Sequence, residues 1–237
     1  MASGNKTPVA VVVGVGPGLG AALAHRFSKG YAVAILARRA DYLSKLGGEI
    51  KVAGGKVLEV PTDVADPGQV TKAFATIAAE LGPVDVLLYN AGSGTWGGVL
   101  DITPEQFEAT WRTNAMGAFM AVKQVAPSMV DRGSGVILFT GATAGVKAGP
   151  RSAAFGPAKF ALRGLAQSIA RDLGPRGVHC AYINVDGIID IPGRDRGLQP
   201  EDMLKPSGIA ETYWHLAHQE RSAWTMEIEV RPFKEKF

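Results

Sequence analysis

The sequence predicts an α/β fold, a single doubly wound parallel sheet with helices on both faces, on three observations. Apolar runs rich in β-branched residues recur along the chain and alternate with stretches of helical spacing. The first run, Val9 to Val13, breaks into the glycine-rich turn Gly14-Val15-Gly16-Pro17-Gly18-Leu19-Gly20. At 237 residues, 46% of them hydrophobic and 20% charged, the chain suits one large core, and no repeat, linker or low-complexity run divides residues 1–237 into more than one domain. Such alternation requires right-handed crossovers and gathers ligands at the carboxyl ends of the strands.

Strands are expected at Val9–Val13, Ala32–Ala37, Lys56–Val60, Val84–Tyr89, Gly135–Thr140 and Val178–Asn184, with a last strand, Met226–Val230, at the sheet edge. The first helix starts near Gly18 and carries the stripe Leu19, Leu23, Arg26, Phe27. Helical spacing follows from Asp41, from Asp66-Pro67, from Thr103-Pro104 with Glu105 close by, and from about Ser152. The helices Pro104 to Asp131 and Ser152 to Leu173 carry small and apolar residues that suit either core packing or pairing between subunits. Ile191 to Ser207, punctuated by Pro192, Gly193, Gly197, Pro200 and Pro206, reads as a long irregular loop able to cover a pocket.

Composition excludes several classes. The net charge is +3, but the basic residues are scattered apart from Arg38-Arg39 and the Arg194/Arg196 pair, so no stripe for a nucleic acid is present. No apolar stretch is long enough for a membrane span. The segment Met1 to Pro8 lacks the apolar core of a signal peptide, and the lone Cys180 rules out an internal disulfide framework, so a cytoplasmic protein is expected. His25, His179, His215 and His218 stand at no metal-ligand spacing, and no metal is expected. Trp111 and Trp224 read as packing residues.

The glycine turn suits a phosphate. Residues without Cβ let backbone approach a pyrophosphate, and the helix behind them offers unpaired N–H groups and partial positive charge. A tight strand-to-helix turn would use glycine too, but the position after a strand and before an amphipathic helix favours nucleotide binding.

Gly14-xxx-Gly18-x-Gly20, Asp63-Val64, Asn90-Ala91-Gly92, Asn114, Lys159 and Gly187, in that order and at suitable intervals, resemble the short-chain dehydrogenase/reductase family over nearly the whole chain. The resemblance implies one Rossmann-type domain, a nicotinamide cofactor, a small-molecule substrate and a homodimer or homotetramer. It assigns Gly14, Gly16, Pro17, Gly18, Leu19 and Gly20 to the pyrophosphate, and Asp63 and Val64 to the adenine. Asn90, Ala91 and Gly92 fall beside the ribose, Lys159 on the ribose hydroxyls, and Gly187 with the Ile188–Ile189 backbone at the carboxamide. Asp63 equally suits a turn, although Asp66 already supplies the helix cap.

Cofactor choice rests on Arg38 and Arg39, which end the second strand where an NAD-binding relative carries an acid. A guanidinium pairs with a 2′-phosphate through a planar fork, so NADP is expected over NAD.

Two departures bear on catalysis. The family's tyrosine, four residues before Lys159, is Phe155 here, and its serine, thirteen residues earlier, is Ala142. A phenol near a lysine supplies the proton that accompanies hydride transfer; phenylalanine has none to give. Asn114 matches the asparagine that stabilises a helix kink and holds a water near the lysine. Asp186 replaces a proline and Ile191 a threonine after the sixth strand; Asp186 or Asp190 is a substitute acid or simply a solvated loop carboxylate. Ser93, Trp96, Thr143 and Phe155 should face substrate, Trp96 and Phe155 forming an apolar wall, with Lys147 and Ser152 within reach from the same side. The expected activity is NADP(H)-dependent reduction of an activated C=C, C=N or C=O group. The alternatives are a catalytically impaired NADP-binding sensor or partner protein and a non-redox isomerase or lyase.

Overall fold

The computed structural model describes residues 7–234. Strands β1 (Val9–Val13), β2 (Ala32–Ala37), β3 (Val57–Pro61), β4 (Val86–Tyr89), β5 (Gly135–Thr140), β6 (Val178–Val185) and β7 (Glu227–Val230) form one seven-stranded sheet in the order β3-β2-β1-β4-β5-β6-β7. Every pairing is parallel. The chain runs outward from β1 to β3, returns to lay β4 against the other side of β1, and runs outward again to β7. The reversal falls between β1 and β4, where Val13 pairs with Tyr89, and it leaves a crevice beyond those strand ends.

The helices are α1 (Leu19–Phe27), α2 (Ala40–Val52), α3 (Pro67–Glu80), α4 (Pro104–Trp111), α5 (Gly117–Asp131), α6 (Phe155–Leu173) and α7 (Pro206–Ala217). The two faces of β1 separate by alternation: Val11 and Val13 join the core under α3, α5 and α6, while Ala10 and Val12 join the core under α1, α2 and α7. Both faces are covered, which is why these strands read as unbroken apolar runs. No helix among the described residues is long and apolar enough to cross a membrane. The segment Met1 to Lys6, part of the leader reading, lies outside the described residues.

Strand limits differ from the sequence reading by no more than two residues. β4 starts at Val86, just after Asp85, whose carboxylate accepts from the Val9 N–H at 2.8 Å. Asp66 caps α3, accepting from Gly68 and Gln69 N–H groups, and Thr103 caps α4 in a reciprocal box with Gln106 rather than with Glu105.

Three expectations need correction. The predicted helix Pro104 to Asp131 is interrupted by a π-helical turn at Arg112–Met116, centred on Asn114. The helix expected from about Ser152 begins only at Phe155, since Ser152 is held extended in a bridge with Gly97. The loop after β6 is more structured than Ile191 to Ser207 suggested. Ile189 bridges to Leu204, a 3₁₀ turn forms at Pro200–Asp202, and α7 starts at Pro206. Trp214 on α7 packs edge-on against Phe27 and Tyr31, with ring centroids 5.3 and 5.8 Å away. His218 closes the same cluster, its ring nitrogens meeting Trp214 O and Tyr31 OH. Trp224 stacks flat on His179 with centroids 4.9 Å apart.

Candidate active site

The strand ends at the reversal are tied together by one side chain. Asn90 Nδ2 donates to Gly14 O at 2.8 Å, and Asn90 Oδ1 accepts from Thr140 Oγ1 at 3.0 Å, joining the ends of β1, β4 and β5. Tyr213 OH lies 2.7 Å from the same Thr140 hydroxyl, and Lys159 Nζ donates to Thr140 O at 2.9 Å. Gly14 has φ +89°, and a Cβ there would stand 2.3 Å from Ala91 Cα, so only glycine fits this turn.

The N-terminus of α1 differs from those of α3 and α4. Its cap, Gly18, offers no side-chain hydrogen bond, and no acid stands in the first turn. A Cβ on Gly16 would meet nothing within 4 Å, so that backbone faces open space, whereas Gly20 packs closely on the Gly14 carbonyl. Ile191 folds over the turn, its Cγ1 3.1 Å from where a Cβ on Gly18 would stand. Pro17 and Gly18 also border a second cavity of about 660 Å³ between α1, α2 and the start of α7.

Arg38 and Arg39 are exposed at the end of β2, where Arg39 caps α2 with its guanidinium 5.2 Å from the Tyr42 ring; among the described residues neither makes an ion pair. Asp63 uses one carboxylate oxygen on the Ala65 N–H at 3.0 Å, forming the turn after β3. Val64 is buried beside Gly117, whose lack of a side chain admits the Val64 carbonyl.

Asn114 and Lys159 meet at Gly92. The π turn carries Asn114 inward, where its Nδ2 donates to Ser93 O and Thr110 O at 2.7 and 2.8 Å. Its Oδ1 is buried with no hydrogen-bond partner among the described residues. That oxygen and Lys159 Nζ lie 3.2 and 3.5 Å from where a Cβ on Gly92 would stand, so both aim into one small polar space. Burial holds the Lys159 ammonium down to about 8. An orphaned buried acceptor beside a buried donor is the setting for a bridging water or a ligand hydroxyl.

These groups open into a cleft of about 1100 Å³ at the carboxyl ends of β4, β5 and β6. Its lining includes Gly92, Ser93, Trp96 and Phe155, then Ala142, Thr143 and Lys159, and then Gly187 and Ile189. Trp96 packs on Phe155 at 5.0 Å. Asn90, Ala91, Asn114 and the glycine turn stand behind or beside this space rather than in its lining. The bridge engages Ile188 O with Leu204 N–H and Asp190 N–H with Leu204 O, leaving the peptide groups of Ile189 outside that bridge.

Asp186 is neither solvated nor free. Its side chain is 14% exposed, it pairs with Arg231 at 2.9 Å, and it accepts from Thr143 Oγ1 at 2.5 Å. Thr143 is therefore engaged, and Ser152 Oγ is held by Gly149 O at 2.7 Å. One phenol lies by Ala142: Tyr182, which accepts from the Ala142 N–H. It is buried beneath the loop, and that burial pushes its phenol up to about 12, the wrong direction for a proton donor near neutrality. Sequence reading missed Arg151 as a lining residue and noted Arg196 only for its charge; both border the cleft, with Lys147. No group of three or more His, Cys, Asp or Glu among the described residues is placed to hold a metal.

A family model for short chain dehydrogenase matches residues 8–192. The chain belongs to the short-chain dehydrogenase family. A 2-(R)-hydroxypropyl-CoM dehydrogenase from Xanthobacter autotrophicus is 36% identical over 189 residues, covering 78% of this chain and 75% of the relative. A versicolorin reductase from Emericella nidulans is 32% identical over 172 residues, covering 72% and 65%. Among solved structures, a short-chain dehydrogenase from Rhodopseudomonas palustris superposes with a TM-score of 0.84 at 32% identity over 96% of this chain and all of that one. A metagenomic short-chain oxidoreductase in complex with NADP gives 0.84 at 28% identity over 96% and 98%. As a short-chain dehydrogenase, the chain has the features that fit a dinucleotide. The backbone at Gly16 is open, the N-terminus of α1 has no side-chain cap, Lys159 lines the cleft, and the orphaned Asn114 oxygen aims at the space beside Gly92.

Proposed function

We propose that this short-chain dehydrogenase is an NADP(H)-dependent oxidoreductase that reduces an activated C=C, C=N or C=O group, using Lys159 as the proton source in place of the absent phenol. The observation that carries the reading is the convergence of Lys159 Nζ and Asn114 Oδ1 on the space beside Gly92, next to a cleft whose Thr143 and Ser152 hydroxyls are engaged elsewhere. The N–H groups of the glycine turn and the start of α1 would hold the pyrophosphate. Arg38 and Arg39 would take the 2′-phosphate, and Lys159 and Asn90-Ala91-Gly92 the ribose side. A nicotinamide bound there supplies or accepts a hydride. Lys159, held near pKa 8 by burial, can release a proton toward the cleft directly or through a water on Asn114 Oδ1. Trp96 and Phe155 exclude water from one side and favour an apolar substrate body.

Preference for NADP is supported by the two unpaired arginines and by the NADP-bound relative at 28% identity. Pairing into a homodimer or homotetramer is supported by Phe107, Phe119 and Phe160, 41%, 45% and 44% exposed on α4, α5 and α6. The free, buried Cys180 agrees with a reducing, cytoplasmic setting.

A second reading, a cofactor-holding protein without turnover, is favoured by one observation: the Thr143 and Ser152 hydroxyls are engaged elsewhere and Phe155 and Ala142 offer none. Incubation with NADPH and a panel of enones, imines and ketones separates the two. Turnover of at least one class, slowing as pH rises through about 8, supports the first. NADPH binding with no consumption in any class supports the second.

A further inference from the structure

Three cations stand around the cleft mouth, and the proposed chemistry uses none of them. Lys147 and Arg151 lie on the connection from β5 to α6, and Arg196 lies on the loop after β6, yet all three line the same cleft as Trp96 and Phe155. Among the described residues, no Asp or Glu lines it. Among the described residues none of the three makes an ion pair or a side-chain hydrogen bond, whereas Arg26, Arg112, Arg132, Arg163 and Arg231 all pair with carboxylates.

The nearby acids are engaged or turned elsewhere. Asp186 is held by Arg231 and Thr143, and Asp195 accepts from the Gly197 N–H at 2.8 Å. Asp190 is half-buried but outside the cleft lining. Arg151 is fixed at the root: its carbonyl accepts from Gly97 N–H at 2.9 Å, in the bridge that also sets Trp96 beside the cleft. The Lys147 N–H is held by Thr143 O at 2.8 Å. The cofactor's phosphates do not account for this charge. The glycine turn and Arg38-Arg39 end β1 and β2, and β4 lies between β1 and β5, so the β5 loop starts about 10 Å from the phosphate turn at ordinary strand spacing.

We propose that this rim is the subsite for the anionic end of the substrate, a carboxylate, sulfonate or phosphate carried on an apolar body that packs against Trp96 and Phe155. The inference rests on the cleft being the substrate site of the oxidoreductase proposed above. Two guanidinium forks and an ammonium in the lining of one cleft, together with the apolar Trp96 and Phe155, select a ligand with one charged end. Individual exposed charges contribute little, so the preference comes from all three acting together.

The test is calorimetric binding of 4-phenylbutyrate and of its neutral counterpart 4-phenyl-1-butanol to the whole protein, with and without saturating NADP⁺, at low and high salt. A tenfold or greater preference for the carboxylate is expected in both arms, shrinking at high salt. It disappears in the Lys147→Gln, Arg151→Gln, Arg196→Gln triple variant while the alcohol still binds, which shows that the variant is folded. Equal affinities, no binding of either probe, a preference that survives in the triple variant, or displacement of the carboxylate by NADP⁺ would each overturn the proposal. The last result would put the anion in the phosphate cradle. Failure of NADP⁺ to bind, with the carboxylate preference present and lost in the triple variant, would sink the cofactor reading and leave the subsite standing.

Discussion

Lys159 Nζ lies 5.6 Å from the centroid of the Phe155 ring, one helical turn away, and its hydrogen bond goes to Thr140 O. The ring covers the ammonium at cation–π range and gives it no acceptor. A hydroxyl restored on that ring would add a phenol to the cleft that Phe155 and Lys159 both line. Phe155→Tyr combined with Ala142→Ser is expected to raise carbonyl reduction by on the order of ten- to a thousandfold. A variant slower than the parent on ketones, measured as kcat/KM with NADPH, would mean that the parent already uses another proton donor.

Burial of Lys159 makes a stability prediction. Its pKa falls from 10.5 to about 8 in the folded chain, so between those values the unfolded chain binds more protons and stability rises with pH. The penalty for burying the charge is full below about 8 and relieved toward 10.5. Urea unfolding of the cofactor-free protein should therefore show a gain of about 3 kcal/mol across that window relative to Lys159→Met. Parallel pH profiles for the two proteins would contradict the buried ammonium.

The glycine turn separates fold from binding. Gly14→Ala combines a left-handed backbone with a contact against Ala91, and a loss of about 3 kcal/mol or more is expected. Gly16→Ala enters open space and should leave stability within about 0.5 kcal/mol while weakening the dinucleotide. Chemical denaturation and cofactor titration of both variants check this, and equal stability losses would contradict the geometry.

Replacement of Arg38 and Arg39 by Ala should weaken NADPH roughly tenfold or more and leave NADH nearly unchanged, since only the 2′-phosphate distinguishes the two. Equal losses for both cofactors, read from the same titrations, would assign the arginines to general electrostatics.

What the sequence made legible was local. The turn at Gly14 follows from strand, glycine and helix in succession, and the Phe155–Lys159 relation follows from helix register. Asn114 was singled out, but its π turn and inward aim depend on Ser93 and Thr110 packing around it. α7 opens with Pro206 behind Lys205, which gives no side-chain cap, so the proline alone marks its start inside a stretch rich in proline and glycine. The pairing of Thr143 with Asp186, and the presence of Arg151 and Arg196 in the lining of one cleft, join loops more than forty residues apart. Neither spacing nor periodicity carries such contacts.

The proposed hydride transfer requires a nicotinamide dinucleotide in the crevice at β1 and β4. Titration of the protein with NADPH and NADH, followed by nicotinamide fluorescence, tests this most directly. Saturable binding of NADPH, several-fold tighter than NADH, is the predicted result. No response to either cofactor would contradict the account.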